Sequence, residues 1–126
     1  MKHEALTQQI IGCIVKVHRT LGPGFLEGIY RRALCIELRR SGLKVETEKS
    51  VPVFYEEEEI GLHRLDLVVE DTVVLELKAV PELAAAHYEQ LRSYLCASAI
   101  DLGLLVNFGR ERSDFRRVER PQPSHP

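Results

Sequence analysis

Two runs of sequence decide the fold of this chain: Leu65-Asp66-Leu67-Val68-Val69 and Val73-Val74-Leu75-Glu76-Leu77-Lys78. Both runs are otherwise apolar, which is the pattern of strands buried on both faces. A buried charge is costly unless it is paired or binds a metal. The charges at positions 66, 76 and 78 therefore indicate a site of hydrolytic chemistry centred on a metal ion.

The spacing of these charges makes a structural demand. Side chains alternate between the two faces of a strand, so Glu76 and Lys78 share a face. A two-residue turn between the strands would place Asp66 on the opposite face. A three-residue loop, Glu70-Asp71-Thr72, places Asp66 directly opposite Glu76, and such loops are common in hairpins. The site therefore requires a loop of odd length or a bulge.

Two adjacent carboxylates repel each other, and one holds its proton at neutral pH unless a cation lies between them. Carboxylate oxygens suit Mg²⁺ or Mn²⁺. Such an ion polarises a phosphoryl oxygen and lowers the pKa of its bound water. Lys78 is placed to orient the attacking water or to neutralise developing charge. A plain cross-strand salt bridge to Lys78 is the alternative.

The composition is that of an ordinary soluble globular protein, with 44% hydrophobic and 29% charged residues in 126. The net charge of −2 argues against a sequence-blind DNA binder, although local patches matter more than the sum. No apolar run has the length of a membrane span, and the N-terminus lacks the pattern of a signal peptide. A cytoplasmic location is the expectation.

The periodicity predicts one α/β domain over residues 1–120 and a disordered tail over residues 121–126. The expected architecture is a mixed β-sheet flanked by helices in α-α-β-β-β-β-α-β order. The third helix connects two strands as a crossover, so those strands should be parallel. The predicted helices are 4–20, 25–40 and 81–98; the predicted strands are 44–48, 51–55, 60–69, 72–79 and 102–108, with a short edge strand over 114–119.

Several motifs together resemble one known family. Gly24-Phe25-Leu26-Glu27-Gly28-Ile29-Tyr30 matches a Gly-x-x-Glu-x-x-Tyr signature. With Arg64–Leu67, Leu75–Ala79, His87–Leu91 and Gly103–Gly109, the chain resembles the GxxExxY protein family, which is placed in the PD-(D/E)xK nuclease superfamily. The resemblance covers roughly Leu6 to Arg120. It implies a restriction-endonuclease-like core.

The resemblance also implies a set of site residues. Leu65 stands where the superfamily motif usually has Pro, a change that removes no ligand. The implied catalytic site consists of Glu27, Asp66, Glu76, Lys78 and Gln90.

The residues outside the two strands allow a structural and a functional interpretation. Glu27 lies in the first turn of a helix, where the helix dipole favours a carboxylate, but it could also bind the metal directly or through water. Tyr30 is either a packed aromatic or a substrate contact. His87 and Gln90 project together from the third helix. Gln90 could hold Lys78 in place, while His87 is either hydrogen-bonded within the fold or a substrate contact.

The planar guanidinium of arginine binds phosphate through paired hydrogen bonds, which the ammonium of lysine cannot form. Arginine is also the more frequent basic residue in this chain. Arg64 precedes Asp66 by two positions and is the preferred candidate for a phosphate contact. The chain has no Trp, so stacking platforms for single strands are not evident.

These observations predict a metal-dependent phosphodiesterase, a nuclease acting on DNA or RNA. Asp66, Glu76 and the Leu77 carbonyl would bind Mg²⁺ or Mn²⁺, with Glu27 assisting. Cleavage of both strands of a duplex would need a homodimer. The alternative function is a non-catalytic module that keeps the nuclease fold and binds nucleic acid or another protein.

Overall fold

The structure, a computed structural model, describes residues 3–122. The predicted tail over residues 121–126 lies outside the described residues from position 123 onward. No helix within residues 3–122 is both long and apolar enough to cross a bilayer.

Within residues 3–122, three helices and five strands follow one another in the order α-α-β-β-β-α-β-β. Their bounds are α1 Glu4–Leu21, α2 Glu27–Arg40, β1 Val45–Tyr55, β2 Glu58–Val69, β3 Val73–Lys78, α3 Ala85–Ser98, β4 Leu102–Asn107 and β5 Asp114–Glu119.

The strands form one mixed sheet in the order β1-β2-β3-β4-β5. The β3–β4 pair is parallel, as the crossover through α3 predicts, and the other pairs are antiparallel. One core cluster packs α1 and α2 against one face of the sheet, and a second cluster packs α3 against the other face. The central strands β3 and β4 are buried on both faces, which explains their continuous apolar sequence.

Two predicted boundaries are wrong. The strand segments before and after Ser50 form the single strand β1, because β1 lies at the edge of the sheet, where Pro52 can be tolerated. Three strands therefore precede α3 instead of four. The third helix begins at Ala85 and not at Pro81. The side chain of His87 caps its N-terminus, because His87 Nδ1 accepts a hydrogen bond from the backbone N–H of Ala84.

A glycine ends α2. Gly42 has the left-handed φ of 83° that glycine adopts readily. Its N–H donates to the Arg39 carbonyl, and the Leu43 N–H donates to the Leu38 carbonyl. This is a Schellman motif, and it turns the chain from α2 into β1.

Candidate active site

The strands β2 and β3 part at Asp66 and Glu76. Val69 pairs with Val73 and Leu67 with Leu75, so the connection is the three-residue loop that the site requires. The next step of this register places Asp66 opposite Glu76, and there the regular ladder ends. The two carboxylates therefore lie at a fork between neighbouring strands.

Side-chain oxygens replace the missing ladder bonds at this fork. The Leu77 N–H donates to Asp66 Oδ2 at 2.9 Å, and the Asp66 N–H donates to Glu76 Oε1 at 3.2 Å. Each carboxylate is held by the backbone of the opposite strand, so the pair is preorganised. Asp66 and Glu76 are consequently close neighbours whose charges must interact.

Glu76 is the most perturbed acid of the site. Its residue is only 4% exposed. Burial raises the pKa of Glu76 to about 8, and repulsion from Asp66 adds to the effect, although the hydrogen bond from the Asp66 backbone and the charge of Lys78 act in the opposite direction. Without a cation, Glu76 therefore carries a proton at neutral pH. Strongly perturbed acids of this kind concentrate at functional sites.

Lys78 extends the site toward α3. It shares the face of Glu76, and its Nζ donates to Gln90 Oε1 at 3.3 Å. Tyr94 lies one turn beyond Gln90; burial raises the pKa of Tyr94, and the charges of Glu76 and Asp66 raise it further. Tyr94 is not among the residues predicted from the sequence, although its spacing of four from Gln90 on one helix could have indicated it.

Glu27 approaches the site from α2, in whose first turn it lies as predicted. Burial is the main cause of the raised Glu76 pKa, and repulsion from Glu27 makes a smaller contribution to it. However, residues 3–122 contain no group of three or more His, Cys, Asp or Glu side chains placed to hold a metal. Binding of the metal by Glu27, directly or through water, therefore stays a prediction.

The remaining donors still suit a hard divalent cation. Mg²⁺ is commonly held by one or two carboxylates and keeps several waters. Asp66 and Glu76 supply two carboxylates, and the raised pKa of the buried Glu76 is the feature that a neighbouring cation would compensate. The residues thus fit a Mg²⁺ or Mn²⁺ site completed by water and the Leu77 carbonyl.

Comparison with known proteins shows the superfamily and the fold of the chain. The sequence matches the PD-(D/E)XK nuclease superfamily over residues 4–118. The chain belongs to the PD-(D/E)XK nuclease superfamily. Nucleases of this superfamily generally use divalent metal ions. Membership of the GxxExxY family within this superfamily stays a prediction. A search of curated proteins found no match to the sequence.

Solved structures share the PD-(D/E)XK fold of this chain. The crystal structure of SSO0001 is 19% identical with a TM-score of 0.62, over 76% of this chain and 50% of that chain. This chain thus spans about half the length of SSO0001. An alkaline exonuclease (LHK-Exo) from Laribacter hongkongensis is 11% identical with a TM-score of 0.58, over 96% of this chain and 72% of that chain. Similarity at this level shows the fold.

In this PD-(D/E)XK domain, the structure contradicts the predicted substrate contact of Tyr30 and agrees with the alternative, a packed aromatic side chain. Its side chain is fully buried and stacks on Phe108 with ring centroids 4.5 Å apart. Its hydroxyl donates to the Gly22 carbonyl at 2.5 Å and accepts from the Phe25 N–H at 3.2 Å. Tyr30 therefore fixes the loop that leads into Glu27.

The other two predicted substrate contacts differ in their support. His87 Nδ1 accepts from the Ala84 N–H at 2.9 Å, so this ring is oriented by the start of α3. Arg64 is exposed, but its position two residues before Asp66 does not by itself place it on the same strand face. Leu65 packs in the α3 cluster and Leu67 in the α1–α2 cluster, so side chains do not alternate regularly through Asp66. Both substrate contacts stay predictions.

The structure adds two site residues, Arg31 and Glu48. Arg31 lies on α2, one turn after Glu27, and contacts both Asp66 and Glu48. Glu48 occupies the position of β1 opposite Asp66. Arg31 is one of four arginines on α2, which the sequence does not distinguish, and Glu48 also lacks a distinguishing signal.

Proposed function

We propose that this chain is a metal-dependent phosphodiesterase, a nuclease that hydrolyses DNA or RNA. The observation that carries the proposal is the fork at which Asp66 and Glu76 meet, with Lys78 two positions further on the same strand face. Membership of the PD-(D/E)XK nuclease superfamily supports it.

Each residue of the proposed site has a role that follows from its position. A divalent cation bound by Asp66, Glu76 and the Leu77 carbonyl would supply polarisation of a phosphoryl oxygen and acidification of a water. Lys78 orients the attacking water and stabilises the negative charge that develops on the phosphate. Gln90 holds the Lys78 ammonium, which limits its rotamers. Glu27 would assist, directly or through water.

Replacement of Lys78 by Ala tests the catalytic assignment. We expect metal-dependent cleavage of DNA or RNA to fall by at least about 100-fold, because the charge beside the developing phosphorane is lost. Nucleic-acid binding should persist. Lys44→Ala is the matched control, since Lys44 is an exposed lysine paired with Asp71 away from the site. Absence of metal-dependent cleavage in the wild type as well would favour the non-catalytic module.

A metal titration tests the cofactor separately from activity. Calorimetry should detect Mg²⁺ or Mn²⁺ binding to the wild type and its loss in Asp66→Asn. A cation at about 100 times its Kd should also stabilise the wild type by about 2.7 kcal/mol. If neither ion changes the melting temperature, the carboxylates and Lys78 form only a structural salt-bridge cluster and do not bind a metal. A homodimer and a cytoplasmic location stay predictions.

A further inference from the structure

Arg31 lies against the acid that the proposed cation needs. Its side chain is partly buried, and its Nη1 lies 3.5 Å from Asp66 Oδ1. Its Nη2 lies 3.2 Å from Glu48 Oε1. One planar fork therefore contacts two carboxylates at once, which a lysine ammonium on a flexible stem matches poorly.

The two oxygens of Asp66 are engaged by different partners. Oδ2 accepts from the Leu77 N–H, which fixes the carboxylate at the fork between β2 and β3. Oδ1 is the oxygen left for a cation, and Arg31 lies beside it. A divalent ion approaching Asp66 therefore meets a positive charge already in place, and the two must compete for the same carboxylate.

Glu48 is held in a conformation that brings it to Arg31. It has a φ of 48°, which is costly for a residue with a side chain. The pairs on either side, Thr47 with Leu67 and Lys49 with Leu65, put Glu48 opposite Asp66, yet these two residues do not pair. Like charges directly opposite are destabilising, and Arg31 neutralises them. Glu48 thus supplies Arg31 with a second carboxylate.

We propose that Arg31 and Glu48 together set the cation affinity of Asp66, an inference that rests on the proposed function. In the metal-free protein Arg31 is shared between the two carboxylates. When a cation binds Asp66, Arg31 moves fully onto Glu48. Arg31 is thus a positioning residue that competes with the metal, and Glu48 is the acceptor that releases it.

Calorimetric titration with Mn²⁺ tests this competition without a substrate. Arg31→Met keeps much of the aliphatic stem and removes the charge, and we expect it to tighten Mn²⁺ binding roughly tenfold. Arg32→Met is the matched control, since it removes the same charge from an exposed neighbour on α2. It should change the Kd much less. Arg31→Lys, which keeps the charge but not the fork, should lie between wild type and Arg31→Met.

A double mutant separates the proposed exchange from simple electrostatics. Glu48→Gln should weaken Mn²⁺ binding, because Arg31 then rests on Asp66 alone. In the Arg31→Met background the same change should have almost no effect on the Kd. A Glu48→Gln effect that persists in the double mutant, or equal effects of Arg31→Met and Arg32→Met, would overturn the inference while leaving the metal site intact. A wild type that binds no Mn²⁺ would overturn the proposed function and this inference together.

Discussion

Glu76→Gln should make the metal-free protein more stable than the wild type by about 5 kcal/mol at about pH 9, and the advantage should shrink toward acid pH. The physical reason is the pKa of Glu76, which burial raises from its ordinary 4.5 to about 8. The folded wild type must release this proton at alkaline pH and then keep a buried, repelled carboxylate. The amide of Gln carries no charge at any of these pH values.

The sign follows from proton linkage. Between pH 4.5 and about 8 the folded Glu76 is protonated, whereas the unfolded one is ionised. The folded state therefore binds more protons, so the free energy of unfolding of the wild type falls as pH rises through this window. Below about pH 4.5 the Glu76 carboxyl group is protonated in both the folded and the unfolded state, so its ionisation no longer lowers the stability of the wild type.

Denaturant unfolding with a chelator present, from about pH 4 to about pH 9, measures the effect. Glu89→Gln is the control, because Glu89 is an exposed carboxylate on α3 and its replacement should leave the pH dependence unchanged. Excess Mg²⁺ should restore the wild type at high pH and leave Glu76→Gln unaffected, since the cation favours the ionised acid. Parallel pH curves for wild type and Glu76→Gln would contradict the assignment of the burial cost to this residue.

The central part of the site follows from sequence because it depends on short-range rules. Alternation along β3 places Glu76 and Lys78 on one face, and the loop Glu70-Asp71-Thr72 sets the register that brings Asp66 opposite Glu76. The spacing of Gln90 on α3 follows from helical periodicity. Each of these inferences needs only the side-chain period of a strand or helix, or the length of the connecting loop.

The parts that sequence analysis missed depend on tertiary packing. A positive φ at Glu48 has no marker in the sequence, because the residue is not Gly or Asn. The change of face between Leu65 and Leu67 breaks the alternation on which the prediction for Arg64 depended. Tyr30 is the last residue of the Gly-x-x-Glu-x-x-Tyr pattern, yet its burial against Phe108 becomes visible only when α2 packs on the sheet.

Gly109→Ala should destabilise the protein by at least about 3 kcal/mol, through overlap with a backbone that cannot move aside. A Cβ at Gly109 would overlap the Val80 carbonyl oxygen and lie 2.5 Å from the Val80 nitrogen. The fully buried Asn107 holds both segments: its Oδ1 accepts from the N–H groups of Val80 and Gly109, and its Nδ2 donates to the Val80 carbonyl.

Gly12→Ala provides the opposite control. Nothing lies within 4 Å of a Cβ at Gly12, which is in α1, so this change should stabilise the protein by roughly 1 kcal/mol through helix propensity. Thermal and denaturant unfolding of the two variants therefore compare a crowded with an open glycine. Val80 follows Lys78 by two positions and leads toward α3, which carries Gln90. If Gly109→Ala proves as stable as the wild type, the segment after Lys78 can shift, and Asn107 does not hold the alignment of Lys78 with Gln90.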